Sequence, residues 1–390
     1  MSSLSIQKEH GITLAKRRTS EDLLMDSGPY AQMLNDLVTA AKVAGASDIH
    51  IEPNEVGVSM RIRVDGDLRL YKQVGLQHRE SLILEVKRIF GLAIGVSGRP
   101  QDGRASLPSK RLDLRVSLLP THFGEKVVMR LLNLDASFDL EHLGFMDRER
   151  ALLQKALHFE DGVVVISGPT GSGKTRTLYA LLKSLDPGKL NIVTLEDPIE
   201  YRIEGLNQVQ VTSKMSFADA LRSVLRQDPD VILVGEVRDP ETAKLCFQAA
   251  ETGHLVFTTL HANGSLEVIE RLRGLKVDEL VLKSNLRLSI AQRLEQKVCE
   301  HCCLKPSLEI EDWYKRQAHG FSLTLRFQNT QGCEQCFQGI HGRVPILEWA
   351  TFESETDEKV AKVIQSLQEA RIQRAIKGEI DCEEVWHVHS

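Results

Sequence analysis

The most specific chemistry in this sequence lies in the octapeptide GPTGSGKT at residues 168–175. Apolar residues at 163–166 and 178–182 predict a strand before this loop and a helix after it. The glycines allow backbone N–H groups to close around phosphates, while Lys174 can reach the β- and γ-phosphates and Thr175 can hold Mg²⁺. The start of the helix adds a dipole that favours an anion, so the segment predicts a site for ATP with Mg²⁺. The predicted nucleotide-binding residues here are Gly168, Pro169, Thr170, Gly171, Ser172, Gly173, Lys174, Thr175 and Arg176.

Four carboxylates follow two apolar runs further along the chain. Glu236 ends one run, where a phosphate-loop fold places the group that polarises the attacking water or supports Mg²⁺. Glu196, Asp197 and Glu200 follow the other run, and the carboxyl ends of parallel strands meet near the nucleotide. We therefore predict Glu236 as the general base and Glu196 and Glu200 as supports of the metal shell. The alternative for one or two of the last three is a structural role, which fits Glu200 best.

Two histidines bracket the apolar segment 255–260. His254 precedes this predicted strand and His261 follows it. A single histidine is more often a structural group with satisfied hydrogen bonds than a sensor. A pair that brackets one strand can also report the phosphate state of a nucleotide, so His254 and His261 are candidate nucleotide contacts, and both interpretations stay open.

The seven cysteines are unevenly spaced, and five of them lie between residues 299 and 336. In a reducing compartment such clustering favours a metal over disulfides. A redox dithiol is the rival interpretation, but no thioredoxin-like pattern accompanies it. His301 and Cys303 adjoin Cys302 and leave the choice of ligands slightly open. The predicted zinc ligands are the two C-x-x-C pairs, Cys299, Cys302, Cys333 and Cys336.

Composition limits the classes of protein to consider. The 390 residues are 42% hydrophobic, which is enough for two domains with ordinary cores. A net charge of −5 gives no support for broad electrostatic binding to nucleic acid, which makes a nucleic-acid partner an unfavoured hypothesis. Neither a signal peptide at the start nor an apolar run of membrane-spanning length is present in the sequence. We therefore expect a cytoplasmic location.

The first third of the chain predicts a small α+β domain over residues 28–135, after a flexible segment at residues 1–27. Apolar residues at helical spacing predict a first helix before Gly45, and a second is predicted over 82–90. Alternating apolar residues predict half-buried strands, with Asp65-Gly66 as a hairpin turn. These strands are expected over residues 47–53, 56–64 and 112–118.

Residues 136–390 predict a second domain, joined by a linker at 133–138. Buried-type strands and amphipathic helices alternate from residue 163 to residue 259, which is typical of a mainly parallel sheet covered by helices. The predicted fold class is therefore α/β.

The motifs together resemble those of the secretion ATPases of type II secretion and type IV pilus assembly. In the first domain the matching segments are residues 47–53, 99–104, 113–117 and 124–130. In the second domain the aspartate box, the Walker B segment and the histidine box of that family resemble residues 194–200, 226–239 and 252–263. The cysteine module over 297–345 resembles the family's zinc-binding insertion, which the related pilus-retraction ATPases generally lack.

The resemblance implies a RecA-like ATPase domain and a ring of six subunits, in which each nucleotide lies between two domains. It also implies that arginines of the N-terminal domain complete the site, and Arg115 and Arg130 occupy the matching positions. The alternative interpretation is that these two arginines belong to a solvated strand face. Three more arginines are candidates for contacts with phosphate or with a neighbouring subunit: Arg222, Arg226 and Arg238. The alternative interpretation is that they form surface salt bridges.

The resemblance therefore implies a hexameric ATPase that powers assembly of a type IV pilus or a type II secretion pseudopilus. Its implied partner is an inner-membrane platform protein, which would hold the ATPase at the membrane periphery. Two alternatives stay open: a DNA-uptake or translocation motor, and a weakly catalytic, nucleotide-dependent regulatory subunit. Arg176 supports the second alternative, because family members usually have a threonine there and a cation can alter nucleotide affinity or turnover.

Overall fold

A computed structural model describes residues 19–26, 28–135, 137–317, 322–355 and 358–387. The chain divides between residues 135 and 136 into two units, each with its own sheet. Among the described residues, no helix combines the length and apolar character needed to cross a bilayer.

The first unit is a six-stranded sheet with helices packed on one face. Its helices are α1 Ser20–Leu24, α2 Pro29–Val43 and α3 Arg79–Phe90. Its strands are β1 Asp48–Asn54, β2 Gly57–Val64, β3 Asp67–Gly75, β4 Gln101–Leu107, β5 Leu112–Thr121 and β6 Gly124–Asn133. The strands lie in the order β3-β2-β1-β6-β5-β4, and all neighbours are antiparallel.

Alternation along these strands separates a core face from a charged face. Ile49 and Ile51 of β1 join the core under α2 and α3, whereas Asp48, His50 and Glu52 alternate with them. The predicted helix before Gly45 and the predicted strands correspond to α2, β1, β2 and β5 and are confirmed. The predicted hairpin turn is also confirmed, because Asp65 and Gly66 have φ of 53° and 100°, as a two-residue hairpin loop requires.

The structure differs from the sequence analysis near the start of the chain. Residues 1–18 and 27 of the expected flexible segment lie outside the described residues, but α1 lies inside it. Thr19 caps this helix: its Oγ1 accepts from the Asp22 amide at 3.1 Å. Leu24 is buried in the core of the first unit. A short helix with one core residue gives too weak a periodic signal to be recognised beforehand.

The second unit contains an eight-stranded sheet. Its strands are β7 Gly162–Ser167, β8 Ile192–Glu196, β9 Asn207–Gln210, β10 Val231–Val234, β11 Leu255–Leu260, β12 Leu286–Val298, β13 Ile340–Glu355 and β14 Glu358–Gln365. Its helices are α4 Asp147–Ala156, α5 Lys174–Lys183, α6 Phe217–Val224, α7 Pro240–Glu251, α8 Ser265–Gly274, α9 Glu279–Asn285, α10 Leu308–Gln317, α11 Leu367–Ile376 and α12 Cys382–His387. The order is β14-β13-β12-β7-β11-β10-β8-β9, parallel from β12 to β9 and antiparallel from β12 to β14.

Helices cover both faces of the parallel part. Val163 and Val165 of β7 face one hydrophobic core, and Val164 and Ile166 face the other. Burial on both faces explains why the central strands are uninterrupted apolar runs. The predicted mainly parallel sheet is confirmed, and the antiparallel extension by β13 and β14 is an addition that the sequence analysis does not contain. Because the parallel strands all point the same way, β7, β8, β10 and β11 end at one edge.

A buried ion pair joins helix α11 to α4 and β13. Glu149 and Arg374 are 0% and 2% exposed, and their side chains lie 2.9 Å apart. Glu149 also accepts from the amides of Met146 and Leu347, and Arg374 donates to the carbonyl of Pro345. Burial raises the pKa of Glu149, and the positive charge of Arg374 opposes that shift.

Replacing Arg374 with Met should lower the free energy of unfolding by about 3 to 5 kcal/mol, because Glu149 is then left buried without its counter-charge. Urea titration followed by circular dichroism measures this change. Arg371, one turn earlier, pairs with Glu295 at 3.2 Å but is 26% exposed. Arg371→Met should therefore cost about 1 kcal/mol or less. Equal losses in the two variants would contradict the importance of the buried pair.

Candidate nucleotide site and cysteine cluster

The loop at residues 168–173 joins the end of β7 to the start of α5 at the carboxyl edge of the parallel sheet. Gly168 and Gly173 have φ of 147° and 88°, which favour glycine. The loop also packs tightly, since a Cβ on Gly168 would lie 2.4 Å from the carbonyl oxygen of Gln292. The predicted strand, loop and helix are therefore present, and the glycines are required by both dihedral angle and space.

Lys174 begins α5, and its ammonium group lies beside the loop. Its Nζ donates to the carbonyl oxygens of Gly168 at 2.8 Å and Pro169 at 3.0 Å. Burial lowers the pKa of Lys174, and the negative charge of Glu236 opposes that shift. Lys174 and Glu236, which are far apart in sequence, are thus close enough to interact electrostatically.

Glu236 lies just beyond the end of β10 and contacts two basic side chains, Arg238 and His261. Its Oε2 is 2.6 Å from Arg238, and its Oε1 is 3.2 Å from Nε2 of His261. The Glu236 side chain is only 18% exposed, and its hydrogen bond to Arg238 raises the pKa of that guanidinium. The residues that line the cavity at this edge include Lys174, Thr175, Glu196, Asp197, Glu200, Glu236, Arg238 and Thr259. The structure therefore brings the predicted carboxylates together with the phosphate loop.

Glu196 is held more firmly than the sequence indicates. The hydroxyl of Tyr179 donates to one of its carboxylate oxygens. Thr194 Oγ1 and Gln208 Nε2 donate to the other at 2.6 and 3.1 Å. Burial and the Glu196 charge raise the pKa of Tyr179, so this hydroxyl keeps its proton and remains a donor. Glu196 is thus a fixed acceptor in the cavity wall, and any metal must compete with these donors for its oxygens.

The two candidate histidines lie at opposite ends of β11. His261 follows the strand and contacts Glu236, whereas His254 precedes it, about 20 Å away at about 3.3 Å per residue. The ring of His254 lies 2.9 Å from the carbonyl oxygen of Ala249, at the C-terminal end of α7. The structure does not bring His254 to the phosphate loop, because residues before and after a strand emerge at opposite edges. Only His261 remains a nucleotide-site candidate.

The other candidate cations of the second unit lie on exposed surface. Arg222 pairs with Asp219 at 3.3 Å and with Glu241, and Arg226 donates to the carbonyl oxygen of Arg222. Arg176 extends from α5, and one of its guanidinium nitrogens is 3.5 Å from the carbonyl oxygen of Ser137. These contacts correspond to the surface alternative for Arg222 and Arg226.

Three arginines lie side by side in the first unit. Cross-strand register pairs Arg104 of β4 with Arg115 of β5, and Arg115 with Arg130 of β6. Arg130 donates to Asp48 at 3.2 Å, and the group lines one cavity together with Asp102. Like charges directly opposite each other destabilise a sheet, and the carboxylates of Asp48 and Asp102 offset part of this repulsion.

Gln292 is a further neighbour of the phosphate loop, and it belongs to none of the predicted site motifs. It lies on β12 next to β7 and is 1% exposed. Its Nε2 donates to the Ser172 carbonyl at 2.8 Å, and its Oε1 accepts from Thr177 at 2.9 Å. The available signal was a glutamine inside an apolar strand, since a buried amide must find hydrogen-bond partners.

The four paired cysteines converge directly after β12. Their sulfur atoms all lie within 4.8 Å of one another, and neighbouring pairs are separated by 3.5, 3.6 and 3.9 Å. Four thiolates bound to one Zn²⁺ at about 2.3 Å are about 3.8 Å apart in a tetrahedron, so this donor set fits zinc. The cysteines are not disulfide-bonded. Cys303 instead contacts the Glu300 carbonyl, which leaves Cys302 as the second ligand of its pair.

Comparison with known proteins identifies the family. The family model described as type II/IV secretion system protein matches residues 24–383. The chain belongs to this family. It is 42% identical over 337 residues to the type II secretion system protein E of Pectobacterium carotovorum subsp. carotovorum, covering 84% of this chain and 67% of that one. It is also 42% identical over 339 residues to the type IV pilus assembly ATPase PilB of Acinetobacter baylyi, covering 84% and 58%.

A solved structure extends the comparison to the fold. The ATPase DotB of Legionella pneumophila superimposes with a TM-score of 0.67 at 20% identity, covering 92% of this chain and 95% of that one. The predicted RecA-like α/β fold, preceded by a small α+β unit and carrying a cysteine module, is confirmed. Membership of the secretion family, predicted from the motifs, is confirmed as well.

Proposed function

We propose that this secretion-family protein is an ATP hydrolase whose turnover powers assembly of a type IV pilus or a type II secretion pseudopilus. One observation carries the proposal: Lys174, which contacts the glycine loop, and Glu236 line one cavity at the carboxyl edge of a parallel sheet. The names of the relatives, which include a pilus assembly ATPase, favour this function over DNA translocation.

The loop residues fit a triphosphate with Mg²⁺. Ser172 is 3% exposed, and its buried hydroxyl has no hydrogen-bond partner among the described residues. Such a group is costly unless a ligand or water satisfies it. Lys174 would contact the β- and γ-phosphates, and Thr175 would hold Mg²⁺ at the start of α5. Bound Mg²⁺ would supply charge neutralisation between the phosphates.

Glu236 is the proposed base. A carboxylate at the end of the strand next but one to β7 is placed to orient a water for attack on the γ-phosphate. Arg238 and His261 flank it and hold both of its oxygens in position. Glu196 and Glu200 would act further out, through the water shell of Mg²⁺.

We further propose a ring of six subunits at the cytoplasmic side of an inner membrane, held there by a platform protein. The positive charges of Arg115 and Arg130 would stabilise the transition state of phosphoryl transfer. The cysteine cluster would bind one zinc ion per chain. The row of adjacent arginines and the spacing of the four sulfur atoms support these assignments.

Glu236→Gln should still bind ATP but hydrolyse it at least about a hundredfold more slowly, since general-base catalysis contributes about 10² to 10⁴. Lys174→Ala should lose binding itself, because Lys174 contacts the phosphates. Equilibrium binding of a fluorescent ATP analogue and phosphate release measure the two steps. Wild-type turnover in Glu236→Gln would refute the role of Glu236 as base. Negligible turnover in the wild type with intact binding would favour the regulatory alternative.

Cys333→Ser should lose its metal before it loses ATP binding, because three thiolates hold Zn²⁺ less tightly than four and the nucleotide loop is a separate site. Elemental analysis of protein purified without chelator should give one zinc per wild-type chain. Cys303→Ser is the matched control and should retain zinc. Metal-free wild-type protein, or zinc loss in both variants, would contradict the four-cysteine site.

Arg115→Ala and Arg130→Ala should each reduce turnover by up to about 10³ and affect nucleotide affinity less, as expected for arginines that stabilise the transition state. Arg63→Ala is the control on the same sheet face, since Arg63 bonds to the carbonyl of Gly66. Turnover is compared in protein that light scattering shows to be hexameric. Unchanged turnover in both arginine variants would leave them as ordinary surface residues.

Mixing either arginine variant with Lys174→Ala subunits tests where the arginine acts. If it acts on a neighbour's nucleotide, mixed rings regain activity, because an intact loop then meets an intact arginine from the next subunit. If it acts within its own subunit, mixing restores nothing.

A further inference from the structure

We propose that Gln292 is a positioning residue for nucleotide binding, which holds the phosphate loop in its binding conformation from the neighbouring strand. This inference rests on the proposed nucleotide site at Lys174. It concerns a residue that is over a hundred positions away from the loop in sequence and that reaches it only through the pairing of β12 with β7.

The hydrogen bonds of Gln292 fix its amide in one orientation. The Ser172 carbonyl can only accept, so the group 2.8 Å from it must be the Nε2 donor. The opposite atom, Oε1, accepts from the Thr177 hydroxyl at 2.9 Å. Thr177 lies in the first turn of α5 and is 1% exposed. The glutamine therefore bridges the loop and the helix that follows it.

The bond to Ser172 orients a peptide unit that faces the phosphate site. In a trans peptide the carbonyl and the next N–H point in opposite directions. Holding the Ser172 carbonyl toward Gln292 therefore directs the Gly173 N–H away from β12. Such loops bind phosphate through backbone N–H groups, so the direction of this group sets affinity. Without Gln292 the buried Ser172 carbonyl loses this partner, and the peptide unit loses the restraint that comes from β12.

The two glycines at the ends of the loop explain how Gln292 approaches so closely. A Cβ on Gly173 would lie 2.9 Å from Nε2 of Gln292, and one on Gly168 would lie 2.4 Å from its carbonyl oxygen. Gln292 thus touches the loop at its first and last glycine. The glycines serve the contact with β12 as well as the contact with phosphate.

Gln292→Met tests the proposal, because methionine has a similar volume and cannot donate to Ser172. Its Kd for Mg-ATP should rise about tenfold or more, the effect of losing a buried hydrogen bond worth about 1.4 kcal/mol. The matched control is Gln365→Met. Gln365 is a 0% exposed glutamine on β14, the far edge strand of the same sheet. Its side chain donates to the Leu347 carbonyl at 2.9 Å. The Kd of Gln365→Met for Mg-ATP should stay within about twofold of the wild-type value, although this variant also loses a buried hydrogen bond.

Thermal unfolding of both variants separates stability from positioning. Equal melting temperatures with a change in Kd only for Gln292→Met would support the proposal. Equal changes in Kd for both variants, or wild-type affinity in Gln292→Met, would overturn it. Absence of Mg-ATP binding by the wild-type protein would instead refute the proposed function.

Thr177 supplies a second test if Gln292→Met does not fold. Thr177→Val removes the donor that anchors Oε1 and should also weaken Mg-ATP binding, whereas Thr177→Ser keeps the hydroxyl and should bind like wild type. Because Thr177 is expected to act through Gln292, the double variant with Gln292→Met should bind no more weakly than Gln292→Met alone. Additive losses, or equal binding by the valine and serine variants, would contradict this route.

Discussion

Parallel pairing of β7 with β11 and β12 is the constraint on which the candidate site depends. Parallel strands point the same way, so the groups that follow them emerge at one edge of the sheet. β7 delivers the phosphate loop, β10 delivers Glu236 and β11 delivers His261. The same constraint separates His254 from these groups, because His254 precedes β11 and therefore lies at the opposite edge of the sheet. The direction of the strands thus decides which residues of a motif lie close enough to act together.

Opposite charges are arranged close together at that edge. Lys174 and Glu236 interact across the cavity, and Glu236 is also paired with Arg238 and His261. These two neighbours contact different oxygens of the Glu236 carboxylate, which fixes its orientation and suits a group that must position a water molecule. A triphosphate with Mg²⁺ would bring both signs of charge into this arrangement and redistribute its contacts. A bound ligand could therefore replace some of these ion pairs with contacts of its own.

Buried polar groups elsewhere in the second unit hold its parts in fixed relation. Glu149 and Arg374 connect α4 to α11, and the Tyr179 hydroxyl donates to Glu196 in the cavity wall. Gln292 joins the phosphate loop to β12, and β12 continues directly into the first cysteine pair. Each of these groups is expensive to bury alone and is satisfied only in one packing arrangement. Glu196 and Gln292 do this at the carboxyl edge of the parallel sheet, where the candidate nucleotide site lies.

The sequence by itself determined the glycine loop, the apolar runs of the central strands, the paired cysteines and the family, because each depends on local spacing and residue type. Alternation and helical periodicity likewise identified α2, β1, β2 and β5. Only the tertiary structure decided that His261 reaches Glu236 while His254 does not, that Cys302 rather than Cys303 joins the sulfur cluster, and that Glu196 is held by three donors. It alone placed Gln292 beside the loop. These outcomes depend on strand order and register, which bring together residues far apart in the chain and leave no periodic trace in the sequence.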